Sequence, residues 1–154
     1  MVNKRLIKVF CLTLCPVFVL GISSCGFDPN EPVTKVQYYT DDKPLMNHIN
    51  GLDEYESLEY EAVVRTTRVS MGPHEPEYRG VIVLTDDAAE EIWNEYEWEE
   101  AEPEPFEFEK IDTDKLNSVT WYYSDEFEKD TIKYEHVNYI YFGDNTVIFS
   151  LQTS

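Results

Sequence analysis

Alternation of apolar and polar residues with a period of two runs through most of the chain after Val33, and it constrains the fold more than any other feature. Such a period places every second residue on the same face of a β-strand. It is clearest near the C-terminus, where Gly143-Asp144-Asn145 is predicted to turn one strand back along another as a β-hairpin. Predicted strands cover residues 34–40, 58–69, 78–84, 106–111, 119–123, 137–141 and 147–151, and we expect the second and third to pair antiparallel.

Only one stretch has the period of a long amphipathic helix, at about residues 86–98. Asp87 is placed to cap it, with Glu90 at the third helical position. The apolar side chains that share one helical face are Ala88, Ala89, Ile92, Trp93 and Tyr96. Shorter helical turns are expected at 44–49 and, from the capping-box spacing of Asp125 and Glu128, at 124–130. The sequence therefore predicts an α+β fold, a mostly antiparallel sheet with one main helix packed on it.

The first 24 residues have the three zones of a signal peptide. A basic start with Lys4, Arg5 and Lys8 precedes an uncharged apolar stretch from Val9 to Ile22, and two small residues follow. The apolar stretch is about 21 Å long as a helix at ~1.5 Å per residue, whereas a bilayer core is roughly 30 Å thick. Cleavage after export is therefore favoured, and a retained transmembrane anchor is the alternative.

The leader ends in Ile22-Ser23-Ser24-Cys25. This stretch resembles the lipobox of bacterial lipoproteins, in which an aliphatic residue and two small ones precede the modified cysteine. The resemblance covers the leader only. It implies that residues 1–24 are removed, that diacylglycerol is attached to the Cys25 thiol, and that the protein is held at the outer face of a bacterial membrane. An ordinary secretory signal cut nearby, with Cys25 as a free thiol, is the alternative.

The remainder of the chain is expected to form a tether and one domain. Residues 25–33 contain two prolines among polar residues, which suits a short flexible tether behind the lipidated cysteine. Residues 34–154 are long enough for a single hydrophobic core. Since Cys11 and Cys15 lie in the leader, the domain has no pair of cysteines to form a disulfide.

Charge is divided unevenly between leader and domain. The 12 basic residues include three in the leader, which has no acid, so nine remain against 31 acidic residues and the rest of the chain has a net charge of −22. Such a field repels phosphates and anionic head groups and attracts cationic proteins and divalent cations. Nucleic-acid binding is therefore excluded, and membrane attachment has to come from the lipid on Cys25.

Residues 86–109 contain 12 acidic residues and no basic one, with aromatic residues between them. Aromatic side chains anchor protein interfaces, and acidic ones steer basic partners to them. We therefore predict a surface for a basic extracellular protein here, formed by Trp93, Tyr96, Glu97, Trp98, Glu99, Glu100 and Glu102. The alternatives are a plain solvated surface, which is what runs of charge usually form, and a face that binds divalent cations.

Other chemistry has little support. Asp112–Asn117 has alternating acids, but a lysine lies inside it, the glycine bend is missing and no glutamate closes it, so a turn is favoured over a calcium loop. His48, His74 and His136 have no metal-ligand spacing, and no nucleophile-elbow, P-loop or dinucleotide motif is found. We predict a protein without catalysis, metal site or cofactor.

The sequence thus predicts an extracytoplasmic lipoprotein that binds a cationic protein, as an immunity or inhibitor protein binds a basic toxin. Two further functions stay open. One is a structural or accessory lipoprotein of the cell envelope with no single client, and the other is a lipoprotein that binds divalent cations.

Overall fold

The computed structural model of the protein describes residues 30–67, 69, 75–132 and 135–153. Seven antiparallel strands form one sheet in the order β1-β2-β3-β7-β6-β5-β4. They are β1 (Pro32–Tyr39), β2 (Tyr55–Thr67), β3 (Glu77–Leu84), β4 (Glu99–Ala101), β5 (Trp121–Tyr123), β6 (His136–Gly143) and β7 (Thr146–Gln152), and the helices are α1 (Asp86–Glu95) and α2 (Asp125–Thr131). The prediction of an α+β fold based on a mostly antiparallel sheet is confirmed.

Pairing within the sheet follows the alternation in the sequence. The predicted antiparallel pairing of the second and third strands is confirmed, with Leu58 opposite Ile82 in the β2–β3 register. β6 and β7 also pair antiparallel, and the chain turns between them at Asp144 and Asn145. β1 begins at Pro32, so the last two residues of the predicted tether belong to the sheet. The leader, Cys25 and the first residues of the tether lie outside the described residues.

One face of the sheet is covered by both helices and by a short 3₁₀ turn at Leu45–Asn47. Ala89 and Ile92 of α1 and Phe127 of α2 pack there against the apolar side chains of the central strands. Those strand residues are Leu58, Tyr60, Ile82, Leu84, Ile140, Phe142, Val147, Phe149 and Leu151. This face holds the main hydrophobic core, and the four strands that contribute to it are β2, β3, β6 and β7.

The start and end of α1 differ from the prediction. Thr85, not Asp87, caps the helix, and its hydroxyl oxygen accepts a hydrogen bond from Ala88 N at 3.3 Å. The helix ends at Glu95 rather than near residue 98, because the backbone of Tyr96 is extended. A threonine hydroxyl satisfies a free N–H of the first turn, while Asp87 stays inside that turn, where its charge suits the helix dipole.

α2 is one full helix where a single turn was predicted. Its cap is Ser124, whose hydroxyl oxygen accepts a hydrogen bond from Phe127 N at 3.4 Å. The expected capping box from Asp125 to Glu128 is therefore wrong, since both residues lie inside the first turn. The cap orients the helix so that Phe127 is buried against the sheet.

The second face of the sheet is covered by residues 102–111, which form neither helix nor strand, together with Leu116 of the 3₁₀ helix Asp114–Ser118. Phe106, Phe108 and Ile111 of this segment pack with Trp121 and Ile148 in a second apolar cluster. The prediction of a strand at 106–111 is wrong, because the segment pairs with no strand among the described residues. Phe106 and Phe108 pack toward the sheet. Two backbone N–H groups of the segment are hydrogen-bonded to one side chain of the sheet, not to a neighbouring strand.

That side chain is Glu61 of β2, which is fully buried. One carboxylate oxygen, Oε1, accepts hydrogen bonds from the backbone N–H groups of Glu109 and Lys110, the former at 2.7 Å. The other, Oε2, accepts from Nε and Nη2 of Arg79 at 3.0 and 2.8 Å. Arg79 is directly opposite Glu61 in the β2–β3 register, and its side chain is 11% exposed. The buried carboxylate thus joins two strands to the segment that covers them.

Gly80 marks a close approach within the sheet. It lies opposite Tyr60, whose ring stacks on Tyr39 with centroids 5.1 Å apart. A Cβ atom on residue 80 would lie within 3.0 Å of Tyr60 Cβ and of the Glu59 carbonyl oxygen. A strand glycine at such a position lets the neighbouring aromatic side chain approach the backbone.

Candidate functional site

An aromatic cluster lies where α1 meets β5 and β6. It consists of Trp93, Tyr96, Trp98, Tyr122, Phe127 and Phe142. Trp93 and Trp98 stack with centroids 5.8 Å apart, and Trp93 meets the edge of Tyr122 at 4.9 Å. Such offset and edge-to-face pairs are the favoured arrangements of aromatic rings. Three of the predicted partner-binding residues are therefore brought together.

The end of α1 is fixed by the same cluster. Trp98 Nε1 donates a hydrogen bond to the carbonyl oxygen of Trp93 at 3.1 Å. The last carbonyls of a helix have no partner within the helix, so this indole satisfies one of them. The ring of Trp98 then lies against Phe127 and Phe142, with centroids 5.2 Å from each.

Exposure separates the predicted aromatic residues into two groups. Trp93 is 42% exposed and is one of three large hydrophobic residues exposed in the described part of the chain. Tyr96 and Trp98 are half-buried and pack against the main core. Burial and the nearby carboxylates raise the pKa of Tyr96, and its hydroxyl lies 3.4 Å from Asp130 Oδ2. Of the three predicted aromatic residues, Trp93 therefore has the largest exposed fraction.

The predicted glutamates are all exposed, but they do not form one patch. Glu99 and Glu100 are successive residues of β4, so their side chains point to opposite faces of the sheet. Glu99 lies opposite Tyr123 in register and Glu100 opposite Tyr122. Glu97 and Glu99 share a cleft of about 590 Å³ with Trp98, on the side of α2. Glu102 follows the end of β4.

A cavity beside Trp93 brings in acidic residues that the sequence did not identify. This Trp93 cavity has a volume of about 320 Å³. Its aromatic lining is Trp93, Tyr122 and Phe142, and its carboxylates are Asp86, Glu90 and Asp144. Asp86, Glu90 and Trp93 are at positions i, i+4 and i+7 of α1, so they share one helical face. That spacing was visible in the sequence, whereas the approach of the other three residues depends on the strand pairing.

The turn between β6 and β7 is joined to the start of α1 at this cavity. Asn145 Nδ2 donates a hydrogen bond to Asp86 Oδ1. The preceding residue, Asp144, has a backbone φ of +49°, in the left-handed region that aspartate tolerates in turns. Asp144 is exposed and lines the cavity.

No carboxylate of the Trp93 cavity takes part in an ion pair with any described residue. In those residues the ion pairs formed by arginine, lysine and histidine are Arg65–Glu77, Arg79–Glu61, Lys129–Asp125 and His48–Glu135. Residues 86–109 themselves contain no basic residue. The residues that line the cavity thus include three acidic ones and no basic one.

A second cleft, of about 480 Å³, lies on the opposite face of the sheet. It is lined by Arg65 and Arg79 together with Phe106, Tyr139 and Tyr141. Arg79 is held by Glu61, and Arg65 Nη1 donates to a carboxylate oxygen of Glu77. The two arginine charges in this cleft are thus already matched by buried carboxylates, which indicates a structural role.

The segment considered for calcium has a turn instead. Asp112 Oδ1 accepts a hydrogen bond from Asp114 N at 3.0 Å, and Asp114–Ser118 form a 3₁₀ helix. Across the described residues, no group of three or more histidine, cysteine, aspartate or glutamate side chains is arranged to hold a metal ion. Of the histidines, His136 is exposed in β6 and His74 lies outside the described residues.

Comparison with protein-family models, with curated proteins and with solved structures found no match for this chain. Within the described residues, no helix has the length and apolar character needed to cross a membrane.

Proposed function

We propose that the protein is a non-catalytic lipoprotein, attached through Cys25 to the outer face of a bacterial membrane, whose acidic and aromatic edge binds a basic extracellular protein. The edge is the region around α1, β4 and β5 that contains the aromatic cluster and the Trp93 cavity. Recognition depends on electrostatic attraction first and on burial of aromatic surface second.

The observation that carries the proposal is the environment of Trp93. This large side chain is 42% exposed while three carboxylates surround the cavity beside it. Tryptophan is enriched among the residues that dominate protein-interface energetics. Acidic residues around such an anchor raise the association rate of a basic partner and reject acidic ones.

The composition of the edge supports a protein partner over a metal ion. Half of the residues in 86–109 are acidic. Glu99 and Glu100 are successive residues of β4 and point to opposite faces of the sheet, so these carboxylates do not converge on one point. Calcium needs six to eight oxygen ligands around a single centre, at roughly 2.3–2.6 Å. A wide field of carboxylates interrupted by rings suits a broad basic surface better.

The anchor is tested by metabolic labelling of cells that express the full-length protein with a radioactive fatty acid. Label on the wild-type protein and its loss in Cys25→Ala are expected, since the thiol carries the lipid. A Cys11→Ala/Cys15→Ala variant is the matched control and should keep the label, because both cysteines lie in the leader. Label retained in Cys25→Ala, or an intact Met1 in the mass spectrum, would contradict the anchor.

Binding is tested with the full-length protein in detergent and immobilised basic and acidic proteins, with a lysozyme as the first basic probe. We expect capture by basic proteins only. Raising the salt from about 0.05 M to about 0.5 M should abolish most of the affinity, because the Debye length falls below roughly 5 Å. Binding that is insensitive to salt would contradict the proposed electrostatic recognition.

A matched pair of variants distinguishes the effect of the edge carboxylates on binding from the effect of net charge. The edge variant changes four glutamates to glutamine, at Glu97, Glu99, Glu100 and Glu102. The control variant neutralises four exposed acidic residues elsewhere, at Asp41, Asp53, Glu56 and Glu75. Only the edge variant should lose binding to the basic probe. Equal losses in the two variants would show that overall charge, not this edge, attracts the protein.

A further inference from the structure

The Trp93 cavity combines aromatic and acidic walls in a space for one side chain. Its volume of about 320 Å³ is near the lower limit of small-ligand pockets, which run from roughly 300 to 1,000 Å³. The rings become progressively more buried, from Trp93 at the surface through half-buried Tyr122 to Phe142, which is buried. A side chain that lies along Trp93 would therefore cover part of the exposed indole surface.

The carboxylates lie at the same cavity but belong to two separate elements. Asp86 and Glu90 are on α1, and Asp144 is in the β6–β7 turn. One oxygen of Asp86 accepts from Asn145, and a carboxylate has several further acceptor positions for a cation. A positive group in the cavity would therefore lie near acidic residues of two separate elements and beside the exposed surface of Trp93.

Arginine matches this combination better than lysine or a metal ion does. Its guanidinium is planar, stacks on aromatic rings, binds carboxylates with two parallel hydrogen bonds and is more weakly hydrated than an ammonium group. A calcium ion needs oxygen ligands on all sides, and the rings of Trp93 and Phe142 offer none. We infer that the Trp93 cavity is a receptor for an arginine side chain of the basic partner, which rests on the proposed function and specifies it.

The inference is tested by NMR on the full-length protein in detergent, labelled with ¹⁵N at tryptophan. The chain has three tryptophans, so three indole N–H signals are expected. Trp121 lies in the second apolar cluster on the other face and is an internal reference. The probe is N-acetyl-arginine-N-methylamide, whose only charge is the guanidinium, and the control is its uncharged citrulline analogue. The arginine probe should shift the Trp93 signal saturably, and the citrulline analogue should bind at least about tenfold more weakly.

Two double variants with the same change in net charge locate the effect. Glu90→Gln/Asp144→Asn removes two cavity carboxylates, and asparagine tolerates the positive φ of position 144. Glu91→Gln/Glu95→Gln removes two exposed carboxylates of α1 that do not line the cavity. The first should weaken binding of the arginine probe about fivefold, while the second should leave it within about twofold.

Equal shifts with the arginine and citrulline probes, or equal weakening by the two double variants, would overturn the inference. Its failure is distinguishable from failure of the proposed function. If a basic protein binds and Glu90→Gln/Asp144→Asn does not weaken that binding, the proposed basic partner is supported and the arginine receptor is contradicted. If the arginine probe binds at the cavity and no basic protein binds, the arginine site is supported and the proposed protein partner is contradicted.

Discussion

Glu61→Gln is expected to destabilise the protein more than any other single carboxylate-to-amide change in the described sheet. The substitution keeps the size of the side chain but removes the negative charge that faces Arg79. Four hydrogen bonds converge on this carboxylate, two from the guanidinium and two from the backbone of the covering segment. The amide group of glutamine can accept with one oxygen only and presents N–H donors to other donors.

The magnitude follows from the burial of both partners. Glu61 is fully buried and the Arg79 side chain is 11% exposed, so the variant leaves a positive charge with little access to water. Removing one partner of a buried ion pair costs about 3–5 kcal/mol. Domains of this kind have a free energy of unfolding of about 5–15 kcal/mol, so the loss would be at least about a fifth of the stability.

Urea unfolding at neutral pH, followed by tryptophan fluorescence, measures the effect if the m value is unchanged. Glu59→Gln is the matched control, because Glu59 is two residues earlier on the same face of β2 and accepts a hydrogen bond from the exposed Tyr38 hydroxyl at 2.6 Å. Its cost should be about 0.5 kcal/mol or less.

The double variant Glu61→Gln/Arg79→Met shows whether the loss of stability comes from the unpaired positive charge of Arg79 or from lost packing. It should be less destabilised than Glu61→Gln alone, because no unpaired charge remains, and the residual cost of imperfectly satisfied amides at Glu109 and Lys110 is about 1–3 kcal/mol. Hydrogen exchange of these two amides should accelerate in both variants. A Glu61→Gln cost equal to that of Glu59→Gln, or strict additivity in the double variant, would refute the reasoning.

Three further outcomes are expected in the same unfolding assay. Gly80→Ala should lower the free energy of unfolding by about 1–3 kcal/mol, because the new Cβ overlaps Tyr60 and the β2 backbone; an unchanged midpoint would contradict this close approach. Tyr60→Phe should raise the free energy of unfolding by about 1 kcal/mol, since the buried hydroxyl has no hydrogen-bond partner among the described residues. A destabilised variant would show that the hydroxyl does form a hydrogen bond. Burial raises the pKa of Tyr139 and of Tyr60 above the ordinary value, so stability should fall as the pH rises through about 10, where the unfolded chain loses these protons and the folded chain keeps them. Tyr139→Phe should weaken this alkaline fall, and a flat profile between about pH 9 and 11 would contradict the pKa direction.

The central strands could be predicted because their alternation is matched by burial on the helix-covered face. Leu58 and Tyr60 of β2 and Ile82 of β3 all lie in the main core, as their spacing indicates. The segment 106–111 has the same alternation and is not a strand. Period-two burial requires only an extended backbone over an apolar surface, and the sequence gives no sign that backbone N–H groups are satisfied by the distant Glu61.

The same limit applies to the candidate site. Helical spacing correctly placed Trp93 on α1 with Ala89 and Ile92, but Tyr96 lies beyond the end of the helix and reaches the aromatic cluster from an extended backbone. Tyr122, Phe142 and Asp144 reach the Trp93 cavity only through the pairing of β5, β6 and β7, about 30–50 residues further along the chain. Glu61 looked like any solvent-facing glutamate in an alternating strand, because nothing local indicates the covering segment.

The order of the strands sets the distance between the attachment point of the chain and the strand that carries Glu99 and Glu100. β1, where the chain from Cys25 joins the sheet, and β4 are its two outermost strands. Six steps of about 4.8 Å separate them, so the span is roughly 29 Å, near three Debye lengths at about 0.1 M salt. In a molecule attached through lipid at Cys25 and standing with β1 toward the bilayer, the sheet would act as a spacer that holds Glu99 and Glu100 of β4 about three Debye lengths further from anionic head groups than β1 is. Approaching cations would then meet them in open solution, without competition from the bilayer.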